Sequence, residues 1–151
     1  NASTIEESKA DILGLFMVTQ LVEMNELDAE LMDNYVTFLA GIFRSIRFGA
    51  SSSHGRANLI RYNYFKEKEA FTINEDGTYR VDFDKMKEAM NSLSELILVM
   101  QGQGDYEQAS QLLKEKGVID DELQAALDAI NERDIPVDIV FKQGKKVLGL
   151  E

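Results

Sequence analysis

Apolar residues recur at three-to-four-residue spacing along most of this chain, the pattern of helices that bury one face. Over residues 4–25, Ile12, Leu15, Phe16, Thr19 and Val22 share a stripe, while Leu13, Met17 and Leu21 fill much of the remaining circumference. That breadth predicts a first helix buried on more than one side. Asp28 is placed to cap a second helix reaching about residue 48, with Leu31, Tyr35, Phe38, Leu39, Ile42, Phe43 and Ile46 at helical spacing. Gly49-Ala50-Ser51-Ser52-Ser53 breaks the pattern, and its serines can cap a third helix over about 54–68. The period then changes. Ala70-Phe71-Thr72-Ile73 and Thr78-Tyr79-Arg80-Val81-Asp82 flank Asn74-Glu75-Asp76-Gly77, which reads as a β-hairpin with a glycine-ended turn. Asp84 is placed to cap a fourth helix over 84–101, with Met86, Met90, Leu93, Leu96, Ile97 and Met100 on one face. Asp105 and Asp120 start a fifth helix over 105–116 and a sixth over about 120–133, with Gly117 ending the fifth. Weak alternation at 137–141, then Gly144 and Val147-Leu148, suggests a short C-terminal strand pair. The fold expected is mainly α: a multi-helix domain of about six helices with a small β-hairpin.

Composition narrows the function. At 151 residues, 44% apolar and 28% charged, the chain has the material for one domain with its own core. The net charge of -11 argues against nucleic acid or an anionic membrane as partner, because both require a basic surface. No apolar run approaches a membrane span. With no cysteine, disulfide frameworks and thiolate metal sites are excluded. Asn1-Ala2 reads as a cloning scar, leaving 3–151 as a single helical domain. A chain that opens on a functional-looking motif within a helix suggests a domain cut from a larger protein.

That motif is Ile5-Glu6-Glu7-Ser8-Lys9-Ala10-Asp11. Glu7 and Asp11 are four apart and so stack on one helical face, where one can bind a metal and the other orient a neighbouring ligand. A second reading competes. Ser3-Thr4-Ile5-Glu6 and Thr4-Ile5-Glu6-Glu7 both fit the capping box, in which a carboxylate reaches back to a free backbone N–H. Asp11 lies beyond the first turn, in an apolar helix, where capping gives it no role. A catalytic zinc takes three protein ligands, and this chain has one histidine, His54. It therefore cannot close such a site alone.

Glu6-Glu7-Ser8-Lys9-Ala10-Asp11 resembles the second zinc motif of the dipeptidyl peptidase III family, E-E-x-[RK]-A-[DE]. In that family an earlier His-Glu-x-x-Gly-His-type helix supplies two histidine ligands and the general-base glutamate. The resemblance implies that Glu7 is the third zinc ligand, Glu6 its neighbour outside the coordination sphere, and Asp11 the acceptor for a ligand histidine's other N–H. It extends over nearly the whole chain through the order of helices, hairpin and Gly104-Asp105-Tyr106. It also implies that His54 helps hold the substrate carbonyl near zinc, with Arg56 and Arg61 as substrate-binding residues. The first zinc motif is absent here, and His54 stands two residues closer to the first arginine than in the family pattern. On this resemblance the chain is the C-terminal part of a zinc-dependent exopeptidase. Its implied partners are the missing N-terminal part of the same polypeptide and a peptide substrate, and zinc belongs to the full-length protein. The alternative is a non-catalytic helical scaffold or protein-interaction domain.

Residues 42–68 carry Arg44, Arg47, Arg56, Arg61, Lys66 and Lys68 against Glu67 alone. In a chain of opposite overall sign, such a patch suggests an anionic ligand or an acidic neighbouring surface. Internal pairing with the chain's many carboxylates accounts for the same pattern equally well. A peptide's terminal carboxylate is the natural ligand if the chain acts on peptides, since arginine grips carboxylates bidentately. Met86, Met90 and Met100 read as core fillers, and Asp120-Asp121-Glu122 as a helix start. No phosphate-binding glycine loop, nucleophile elbow or dinucleotide fingerprint is present.

Overall fold

A computed structural model describes residues 2–139 and 141–150. Six helices run in the order α1 (Ala2–Glu23), α2 (Leu31–Gly49), α3 (Ser53–Glu67), α4 (Phe83–Gln103), α5 (Tyr106–Lys116) and α6 (Asp121–Glu132). Between α3 and α4 lies the hairpin, β1 (Phe71–Ile73) and β2 (Tyr79–Val81). The fold is mainly α, as the hydrophobic period predicts.

Helix starts follow local chemistry. Asp82, Asp105 and Asp120 accept from the backbone N–H of Lys85, Gln108 and Leu123, capping α4, α5 and α6. Ser52 caps α3 by accepting from Gly55 N–H. Two caps differ from expectation. Asp82 rather than Asp84 begins α4, because Asp82 keeps the extended backbone of the strand it leaves. Helix α2 starts after Glu30, with no side-chain cap, so Asp28 lies outside it.

Helix α1 packs against α3, α4 and α2, and α3 packs on α2 and α5. The expected burial of α1 on more than one side is met in part: Ile5, Ile12 and Leu15 are buried with Thr4, Ser8 and Thr19, and Leu13 and Phe16 pack against the core, whereas Met17 and Leu21 stay exposed because α2, α3 and α4 leave that side uncovered. The core continues through Tyr35, Leu39 and Ile42 of α2, Ile60, Tyr62 and Phe65 of α3, and Met86, Met90, Leu93, Ile97 and Met100 of α4. All three α4 methionines are thus core fillers. The hairpin pairs antiparallel with Phe71 opposite Val81 and Ile73 opposite Tyr79. It is fastened by rings: Tyr62 contacts Phe43 and Phe71, and Tyr79 contacts Phe43 and Phe71.

The expected C-terminal strand pair is not found among the described residues. Residues 137–139 and 141–150 hold no strand; Val140, also part of that expectation, lies outside the described residues. The hairpin's two strands pair only with each other, and neither residues 137–139 nor 141–150 add to the open edges of that sheet. No helix of the described residues is long and apolar enough to cross a membrane.

Candidate functional site

Helix α1 crosses α3 at the motif. Glu7 and Asp11 lie one turn apart on α1 and reach different residues of α3. Glu7 Oε2 lies 3.3 Å from His54 Nε2, and Asp11 Oδ2 lies 2.7 Å from Arg61 Nη2. The first contact is open, with the side chains 35% and 65% exposed. The second joins a buried guanidinium, 1% exposed, to a carboxylate that is 39% exposed. Burial holds the Arg61 pKa below its usual value, and the charges of Asp11 and Glu7 partly offset this. Its guanidinium lies over the Phe38 ring, 5.7 Å from the centroid. Arg61 Nε and Nη1 are buried with no hydrogen-bond partner.

Among the described residues neither Glu6 nor Glu7 bonds a helix amide, and α1 has no acid in its first turn. The capping-box geometry is not adopted. Glu6 turns to the other side, salt-bridged to Lys9 at 2.7 Å and accepting from Gln101 Nε2 of α4 at 2.7 Å. Those two hydrogen bonds hold its carboxyl below the usual carboxylate value. Glu6 thus fastens α1 to α4 and stands apart from the Glu7–His54 contact.

The start of α3 is built to present His54. Asn58 Nδ2 donates to the His54 carbonyl at 2.8 Å. Ser52 Oγ donates to Gly49 O at 2.7 Å while accepting from Gly55 N–H. Gly55 is pressed against the end of α2: a Cβ there would fall 2.0 Å from Gly49 O and 2.7 Å from Ala50 Cα. Only glycine permits that approach. Arg56 is half-buried with no side-chain partner among the described residues. Gly55 and Asn58 were not singled out in the sequence, although a glycine beside the only histidine and an asparagine one turn on were the available signals.

Two clefts open on the site. One, of about 620 Å³, runs between α1 and α2 and is lined by Asp11, Gly14, Asp33, Asn34 and Phe38 among others. The second, of about 510 Å³, lies where α2 meets α3 and is lined by Arg44, Ser45, Phe48, Gly49, Ser52 and His54. Asp11 and His54 therefore face different clefts. Among the described residues no three His, Cys, Asp or Glu side chains are grouped to hold a metal ion. Zinc needs three protein donors, so Glu7, with one imidazole beside it, fits a contributing ligand and not a complete site.

No family model matches the chain. It superposes on dipeptidyl-peptidase III from Corallococcus sp. strain EGB with a TM-score of 0.86 and 39% identity, over 98% of this chain and 27% of that one. DPP III from Caldithrix abyssi gives 0.85 and 37%, over 96% of this chain and 28% of that one. The fold is dipeptidyl peptidase III-like. A curated relative, Nudix hydrolase 3 of Arabidopsis thaliana, is 44% identical over 138 residues, 91% of this chain and 18% of that protein. The chain therefore spans less than a third of each protein it matches.

Proposed function

We propose that this chain is the part of a dipeptidyl peptidase III-like zinc exopeptidase that donates the third zinc ligand and several substrate-binding groups. What carries the reading is the α1–α3 crossing: Glu7 beside His54 and Asp11 beside Arg61, within a fold shared with two DPP III chains at 37% identity or more.

When bound, zinc would supply a Lewis acid and a water of lowered pKa. Glu7, half-exposed and with no amide hydrogen bond among the described residues, would contribute one carboxylate to it. Asp11 keeps lone pairs beyond the Arg61 contact, with which it accepts from an imidazole supplied by another stretch of polypeptide. Arg61 holds Asp11 in that pose from beneath, and Glu6 fixes the roll of α1 through Gln101. His54 presents an exposed imidazole to the substrate carbonyl. Of the two arginines Arg56 and Arg61, Arg56 has no side-chain partner among the described residues and is the one available to meet substrate.

The name of the plant relative indicates a different hydrolase. The match covers 18% of that protein, so the named activity can belong to the remainder. The matched portion here has a two-stranded hairpin as its only sheet among the described residues, and the sequence has no phosphate-cradling glycine loop. The peptidase reading is preferred on these grounds.

The test is dipeptide release from the amino end of a peptide by the protein expressed from the gene's whole reading frame. Activity is expected there and absent from the 151-residue chain alone. A whole-frame protein that releases no dipeptide, or an active isolated chain, contradicts the reading.

A further inference from the structure

The basic stretch over 42–68 pairs internally, with two exceptions. Arg47 donates to Asn131 Oδ1 and the Ile135 carbonyl. Arg61 meets Asp11, and Lys66 meets Asp120 and Glu122. Lys68 lies over the Tyr64 ring. Arg44 and Arg56 have no side-chain partner among the described residues, in a chain where acids outnumber bases 27 to 16. An arginine left free amid so many carboxylates is available for an external anion.

Arg44 lines a cleft together with His54. One helical turn on, Phe48 shares its face and the same cleft, and the residue is 63% exposed. The cleft thus joins a guanidinium fork, an apolar ring and an imidazole. That combination suits a peptide carboxylate with an apolar side chain beside it. We infer that the Arg44–Phe48–His54 cleft is a subsite for a carboxylate on the part of a peptide that lies downstream of the cleaved bond. The polarity follows from charge. A peptide's amino end is cationic and is repelled by Arg44, so the anionic end takes this cleft, whose lining includes His54, the neighbour of Glu7. The inference rests on the peptidase reading only for which end of the peptide is bound.

Three probes test it: tetra-alanine with a free terminal carboxylate, its C-terminal amide, and an Ala-Ala-Ala-Glu amide whose only carboxylate is a side chain. Binding to the 151-residue chain is followed by NMR shifts at the Arg44 and Phe48 positions. Hydrolysis is followed with the whole-frame protein. A charge-assisted arginine contact predicts about tenfold tighter binding and lower KM for a carboxylate peptide over the amide. Arg44→Gln should collapse that preference to about one, and Arg44→Lys should keep part of it. Preference for the terminal acid or for the glutamyl amide tells which carboxylate is held, and either supports the subsite. If wild-type chain does not discriminate, or if Arg44→Gln weakens all three probes alike, the subsite is overturned, whatever the hydrolysis result. If Arg44-dependent discrimination persists in binding but no peptide is cleaved, the subsite stands and the peptidase reading falls.

Discussion

Arg61 and Asp11 meet in an asymmetric ion pair: the cation is buried in the core of α3, and the anion on α1 still faces a cleft. The arginine cannot seek another partner, whereas the carboxylate has lone pairs to offer elsewhere. The pair locks the crossing of the helices that carry the candidate site.

Removing Asp11 leaves an uncompensated buried charge, which costs about 3 kcal/mol or more. Asp11→Ala should lower the urea-unfolding free energy by that order. Arg61→Met, an apolar residue of similar volume, should change it by only about 1 kcal/mol, because Nε and Nη1 already lack partners. The double variant should recover most of the loss. Additive losses in the double variant would show that the pair does not couple the helices.

Gly55 is the close-approach point of α2 and α3. Gly55→Ala drives a Cβ into the backbone of Gly49 and Ala50, atoms that cannot rotate away. Overpacking of this kind costs about 1–3 kcal/mol, and the lost alignment should separate His54 from Glu7. Thermal unfolding checks the first effect, and NMR contacts between the His54 ring and α1 check the second. An alanine variant with wild-type stability and unchanged ring contacts would show that the joint yields at little cost.

How much of this was legible in the sequence depended on range. Helical period, the Asp105 and Asp120 caps and the glycine-ended hairpin are local, and each stands close to its expected place. The Asp82 cap was misplaced by two residues because either aspartate suits a helix start, and the choice depended on where the strand ended. The expected C-terminal strand pair is absent from the described residues because weak alternation does not determine whether a segment docks on an open edge, which is a tertiary condition. The i,i+4 stacking of Glu7 and Asp11 was readable, but their separate partners on α3 were not. Arginines are rarely buried, so nothing in the spacing of Arg56 and Arg61 marked the second as the core cation.

Asp120 offers a pH test of the α3–α6 contact. Partial burial pushes its carboxyl up, but the Lys66 hydrogen bond and the Leu123 N–H outweigh this and hold it below its ordinary value of 3.8. A depressed folded-state pKa contributes stability above the unfolded value, and that contribution is lost as pH falls through the folded value. Asparagine caps helices about as well but does not titrate. The stability gap between wild type and Asp120→Asn should therefore be constant above about pH 5 and close below about pH 4. A gap independent of pH would remove Lys66 and the cap as the source.

The most direct test of the central claim is zinc content. The protein expressed from the whole reading frame is purified as wild type and as Glu7→Gln, and bound zinc is measured per chain by elemental analysis after dialysis. About one zinc is expected in the wild type, with a loss of tenfold or more in affinity for Glu7→Gln and unchanged folding by circular dichroism. Full zinc occupancy in Glu7→Gln, with affinity equal to wild type, would contradict the claim.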